Sequence, residues 1–266
     1  MVSKGFALIS LAALLGCATL LAQQQEPQPT AYRTEKDQLK PPPVVPATPA
    51  PVTPEMRGDI YMARKMYREA VEAYREVLGN SAVIHNKIGI AYHQMLDLNS
   101  AKKWYEKALK LDPKYSEAIN NLGTVYYAKK SYRRSIGYYK RALRISPDSA
   151  SIHSNLGTAY FARKKYKQAA EEYDIALKLD PEVFEHRSTQ GILLQERSVE
   201  ERAKFHFYLA KTYAKSGATD RALQYMRKAI EEGFKEKEKF QQDADFAKIR
   251  DLPEFQELLA LEPRVL

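Results

Sequence analysis

A chain of 266 residues, 44% of them hydrophobic and 18 of them tyrosine, is long enough to bury a sizeable core. Its 42 lysines and arginines outnumber 33 acidic residues, a formal charge of +9 that suits anionic partners and by itself proves none. Cys17 is the single cysteine, which excludes an internal disulfide, so the folded region must hold together by packing alone.

Residues 1–22 read as a signal sequence: Lys4, then an apolar run from Phe6 to Ala22 that is shorter than the ~20 residues a membrane span needs. Within it Leu14-Leu-Gly-Cys17 resembles the bacterial lipobox, which makes Cys17 a lipidation candidate; the alternative is ordinary cleavage after Leu20-Leu-Ala22. No later segment is apolar enough to cross a membrane. Residues 23–54 carry nine of the 14 prolines and read as an extended polyproline II spacer.

From residue 55 the chain is periodic. Gly89, Gly123 and Gly157 recur at 34-residue intervals, and Pro113, Pro147 and Pro181 follow in the same register. A period of that length signals an array of helical units that stack on one another. Residues 82–183 make three units in strict phase. Residues 55–81, with Gly58, Ala70 and Tyr74, make a shortened opening unit whose exit turn falls at Gly79-Asn80. Phase is lost over 184–202: Gly191 holds the glycine slot of a first helix that begins near Glu182 and lacks its partner, and Ser198-Val-Glu-Glu201 reads as a capping box that starts a new helix. A further unit spans 203–236, with Gly217 and Gly233 placed as helix caps. Residues 237–266 read as capping helices, in which Phe246, Ile249, Phe255, Leu258 and Leu259 cover the open end of the array and Pro253 starts a helix.

Leu122-Gly123, Tyr126, Tyr139, Ala142 and Pro147 in one unit, and Leu156-Gly157, Tyr160, Ala169, Tyr173, Ala176 and Pro181 in the next, resemble the tetratricopeptide repeat (TPR). The resemblance implies an all-α fold: a right-handed α–α superhelical solenoid of TPR helix hairpins with a C-terminal helical cap. It also implies that first helices line a concave groove. The positions facing that groove hold Asn86, Lys87, Ile90 and His93, then Asn120, Asn121, Thr124 and Tyr127, then Ser154, Asn155, Thr158 and Phe161. Rows of asparagine can hydrogen-bond a peptide backbone whatever its side chains; the competing reading is that Asn121 and Asn155 bond between neighbouring helices. The carboxylate clamp of chaperone-tail-binding TPR proteins is missing, because Ser151 and Asn155 stand where it needs cations.

Chemistry is hard to find. His85, His153 and His206 share one slot of the repeat with Ile119, which marks a packing position rather than a metal ligand. No phosphate loop or His-Glu metal motif occurs. The sequence therefore predicts a protein that is not an enzyme, with no cofactor and no metal. Its expected role is an exported adaptor that binds a protein or peptide in a bacterial envelope complex, periplasmic or lipid-anchored, without nucleic acid. The alternatives are a basic surface for cell-wall glycan or anionic lipid, and a regulatory subunit of an envelope enzyme.

Overall fold

The structure, a computed structural model, describes residues 51–77, 79–185 and 198–262. The signal sequence, Cys17, the spacer up to residue 50 and the helix expected around Gly191 lie outside the described residues. All described residues belong to one unit, Pro51–Leu266. No described helix is long and apolar enough to cross a membrane.

The described residues form an all-α solenoid of paired helices. The hairpins are α1 (Pro54–Ala63) with α2 (Tyr67–Arg75), α3 (Ala82–Gln94) with α4 (Leu98–Leu111), α5 (Ser116–Ala128) with α6 (Tyr132–Leu143), α7 (Ala150–Ala162) with α8 (Tyr166–Leu179), and α9 (Val199–Ser216) with α10 (Thr219–Glu231). Short α11 (Glu238–Gln242), a 3-10 turn at Ala244–Phe246 and α12 (Pro253–Ala260) follow. Thr53 caps α1 with its hydroxyl and Pro54 is its first residue, so the last residues of the expected spacer already belong to the first hairpin.

Within each of the first four hairpins a tyrosine ring of the second helix packs directly against a glycine of the first. The pairs are Gly58–Tyr74, Gly89–Tyr105, Gly123–Tyr139 and Gly157–Tyr173, always sixteen residues apart. A Cβ on Gly89, Gly123 or Gly157 would meet the ring edge at 2.5 Å, closer than any real contact. The glycine's close neighbour is thus the ring of its own partner helix rather than a helix of the next unit. Glycine costs its helix about 1 kcal/mol against alanine, while burying an aromatic side chain at about 25 cal/mol per Å² returns several times that. Tyr74, Tyr105, Tyr139 and Tyr173 are all essentially inaccessible. The hydroxyls bind the residue after the glycine where it is polar: Tyr74 donates to Asp59 Oδ1 at 2.7 Å, Tyr139 to Thr124 Oγ1 at 3.3 Å, Tyr173 to Thr158 Oγ1 at 3.4 Å.

Every hairpin turns in the same way. The turn residues Lys65, Leu96, Lys130 and Lys164 are left-handed, with φ between 56° and 62°. Gly217 takes the position in the fifth hairpin with φ 83°. The next N–H reaches back to a tyrosine carbonyl: Met66 to Tyr61, Asp97 to Tyr92, Ser131 to Tyr126, Lys165 to Tyr160 and Ala218 to Tyr213, at 2.8–3.0 Å. This is the Schellman closure, which satisfies carbonyls orphaned at a helix end.

Among the described residues the regular succession of hairpins runs to α8. Tyr166 stacks on Tyr208 with centroids 4.9 Å apart, and Lys215 reaches Asp174 at 3.5 Å. Both partners advance together along the chain, so α9 runs parallel to α8, where α7 runs antiparallel to α6. The α9–α10 hairpin thus enters the stack reversed, and its own turn lies near the end of α8, where Arg221 pairs with Glu182 and Glu185. The sequence predicts loss of phase here; the structure makes it a reversal of polarity. Helix α9 starts at Val199, inside the 184–202 stretch expected to be irregular, and the hydroxyl of Ser198 accepts from Glu201 N–H as the capping box requires. Ala210 and Met226, again sixteen apart, replace the glycine and tyrosine, and both are fully buried.

The end is capped as the sequence implies. Phe246, Ile249, Phe255 and Leu258 are buried and Leu259 packs beside them. Phe207 and Phe234 stack at 4.5 Å beneath Phe240 and extend this aromatic plug.

Gly123→Ala should destabilise the protein by about 1–3 kcal/mol in urea unfolding despite alanine's better helix propensity, because the ring has nowhere to go. Adding Tyr139→Met, which reproduces the Ala210–Met226 pair, should recover part of the loss; a double-mutant cycle with no coupling would refute the lock.

Candidate functional site

The face built by α3, α5 and α7 is held together by a ladder of side-chain amides. Asn121 Nδ2 donates to Asn86 Oδ1 and Asn155 Nδ2 to Asn120 Oδ1, each at 3.0 Å. One rung earlier Lys87 occupies the donor place and Glu55 the acceptor, at 2.8 Å, with Asp59 also 2.8 Å from the ammonium. In every rung the donor stands two residues before the glycine of the later hairpin, and the acceptor three before that of the earlier one. Asn86, Asn120, Asn121 and Asn155 are 2–4% exposed. Such burial requires partners, since an unpaired amide in the interior costs about 1–3 kcal/mol.

The groove expected from the sequence is therefore largely interior. Besides the four asparagines, Thr124, Thr158 and Phe161 are buried, at 5–8%. Thr124 and Thr158 donate to the carbonyls of Asn120 and Ser154 four residues back. Phe161 packs edge-on against Tyr166, Phe205 and Tyr208. Lys87, His93 and Tyr127 keep partial exposure. Tyr127 tilts against Tyr132, and burial holds the His93 pKa below its usual value. The reading in which asparagines bond between neighbouring helices is the one these distances describe.

Among the described residues, two clefts that open to solvent stand out. One, about 360 Å³, is lined by Asp59, Met62, Tyr67, Lys87, Ile90 and Gln94 on the first two hairpins. The other, about 420 Å³, lies between the parallel α8 and α9, where Tyr166, Lys167, Asp174, Tyr208, Lys211 and Asp245 line it. Lys211 in its wall is held by Asp243 at 2.6 Å and Asp245 at 3.4 Å. The first cleft was legible in outline, because Lys87 and Ile90 sit in the groove register. The second was not, because it arises only from the reversal of α9.

The repeated histidines lie in the hairpin interiors. His85 sits 5.3 Å from the Trp104 ring, His153 Nδ1 is 2.7 Å from Glu172, and His206 Nδ1 is 2.8 Å from Glu232. Among the described residues no group of three His, Cys, Asp or Glu is placed to hold a metal ion. Burial lowers the pKa of His85, His93 and His206; at His206 it outweighs the opposing pull of Glu232.

Family models for the tetratricopeptide repeat match residues 55–114, 104–136, 150–183 and 203–232, and one described as TPR repeat matches 123–162. The chain is a TPR protein. The broken stretch between 184 and 202 is matched by none of them. Among solved structures, a crystal structure of MamA protein shares 21% identity over 72% of this chain and 93% of its own, with a TM-score of 0.46. MamA 41-end from Desulfovibrio magneticus RS-1 shares 21% over 65% and 89%, also at 0.46. No curated protein matches the sequence.

Two outcomes follow for this TPR face. Asn121→Ala leaves Asn86 Oδ1 buried without its donor and should cost about 1–3 kcal/mol in chemical unfolding, with Asn86→Ala adding little more on top. Below pH 6.5 the unfolded chain takes up protons that buried His93 and His206 resist, so stability should fall as pH drops through and below that value. His206→Gln should flatten the pH dependence of the melting temperature; an unchanged slope would rule out His206 as a source of it.

Proposed function

We propose that this TPR scaffold, whose buried tyrosine, asparagine and histidine side chains serve packing, is an exported adaptor which holds an extended protein segment against α1, α3 and α5 within a bacterial envelope assembly. The observation that carries the reading is the 360 Å³ cleft on the first two hairpins. Met62 and Ile90 give it an apolar floor, and the Asp59–Lys87 pair at its rim offers both charges to a peptide. Tyr127 extends the same face by one hairpin. Export rests on the N-terminal sequence, whose apolar run and Leu14-Leu-Gly-Cys17 suit a secreted lipoprotein.

A photo-crosslinking residue at Ile90 or Tyr127 should trap a peptide of one partner, identified by mass spectrometry, while the same residue at exposed Glu72 on α2 should not. Equal yields at all three positions would sink the groove reading. Cys17→Ala should abolish incorporation of labelled fatty acid into the protein. Incorporation unchanged by that substitution would count against the lipid anchor and leave the adaptor reading to the crosslinks.

A further inference from the structure

Three of the first four hairpin turns, at Lys65, Lys130 and Lys164, are rich in exposed cations, while the second, at Leu96, carries Asp97 and no cation. The asparagine rungs hold α3, α5 and α7 parallel and in register, so the turns that follow them lie on the same side. Lys129 Nζ donates to Asn99 Oδ1 at 2.6 Å and so ties one of these turns to the hairpin before it. The opposite ends are joined separately, Ser146 Oγ to Ser116 Oγ at 2.8 Å and Arg141 to the Pro113 carbonyl at 2.9 Å.

The two edges differ sharply in charge. Residues 128–134 and 162–168 each hold four cations and no carboxylate. Lys130, Arg133, Arg163 and Lys164 are exposed, and no described carboxylate is within ion-pairing distance of them. Along the other edge Lys110, Lys114 and Arg144 stand among Asp112, Glu117 and Asp148. A helix end needs no cation at the start of its successor, so the dipole does not account for Arg133, Arg134 or Lys167.

A second observation selects the kind of anion. Leu96 takes the left-handed turn position that Lys65, Lys130 and Lys164 take elsewhere, at φ 62°, and is 72% exposed. A leucine there fills no core and keeps the backbone strain that glycine would relieve. Met66, beside Lys65 on the same edge, is also exposed. Apolar tips among cations gain nothing from a phosphodiester or glycan chain, but they partition into the headgroup boundary of a bilayer. The ring of Tyr166 on this edge is covered by Tyr208 and Lys204, so it offers no free stacking face for bases.

We propose that the hairpin-turn edge of the first four hairpins, from Lys65 to Lys167, docks on an anionic phospholipid bilayer, with Leu96 and Met66 entering the interface. Each cation close to such a surface is worth about fivefold in partitioning at physiological salt. Lys65 lines the first cleft and Lys167 the second, so each end of this edge borders a cleft, and the vesicle test reads the edge with no peptide present.

The test is sedimentation of the unlipidated full chain (Cys17→Ser) with phosphatidylcholine vesicles, with and without about one-third phosphatidylglycerol. The expected result is preferential binding to the anionic vesicles. Lys130→Gln/Arg133→Gln/Lys164→Gln/Lys165→Gln should reduce that preference about tenfold or more, and Leu96→Asn should weaken it several-fold. Lys110→Gln/Lys114→Gln/Arg144→Gln on the opposite edge should leave it nearly intact. Helical circular dichroism and melting of each variant show that the fold is kept. Equal binding to neutral and anionic vesicles, or equal loss from both edge variants, overturns the proposal. So does binding to duplex DNA or purified peptidoglycan that matches the vesicles and ignores Leu96→Asn.

Discussion

A tyrosine ring lying on a glycine is the contact from which the rest of this structure follows. Four times over, the absent Cβ lets the second helix of a hairpin approach the first closely enough for the ring to be sealed. Closeness fixes the angle of the hairpin, and the angle fixes where its outer face meets the next one. The hydroxyl then finds Asp59, Thr124 or Thr158 one residue beyond the glycine, so that one side chain closes both apolar and polar demands. Where the glycine becomes Ala210, the ring becomes Met226, whose flexible chain can pack over a methyl group.

Between hairpins the burden passes to polar rungs. An array has a uniform apolar interface that could slide by a turn of helix, and amides or ion pairs buried in register penalise every slipped arrangement. Asn86–Asn121 and Asn120–Asn155 are equivalent in geometry, and Lys87–Glu55 plays the same part in charged form between the first two hairpins. Between α7–α8 and α9 the described contacts are instead the aromatic packing of Phe161, Phe205, Tyr166 and Tyr208. That interface is indifferent to helix direction, which is where the reversed hairpin is accommodated.

The stack that results separates its tasks in space. Its interior is given to tyrosine, asparagine and histidine, its first two hairpins to a cleft lined by Met62, Lys87 and Ile90, and one edge to exposed cations with two apolar tips.

The sequence by itself determined the hairpins and their period. Glycines, prolines, small residues and tyrosines act within sixteen residues of each other, and the Schellman turns and caps within six, so local spacing carries them. The five cap residues and the capping box at Ser198 were legible for the same reason. What only the tertiary structure decided lies in pairs some 30 to 40 residues apart. Polar asparagines on a first helix look the same in sequence whether they face a peptide or a neighbouring hairpin; the distance between stacked helices put them inside. An amphipathic hairpin buries the same stripe in either direction, so the pattern of 203–236 gave its shape and not its polarity. The parallel packing of α8 and α9, and the cleft between them, came from side chains that meet only once the stack is assembled.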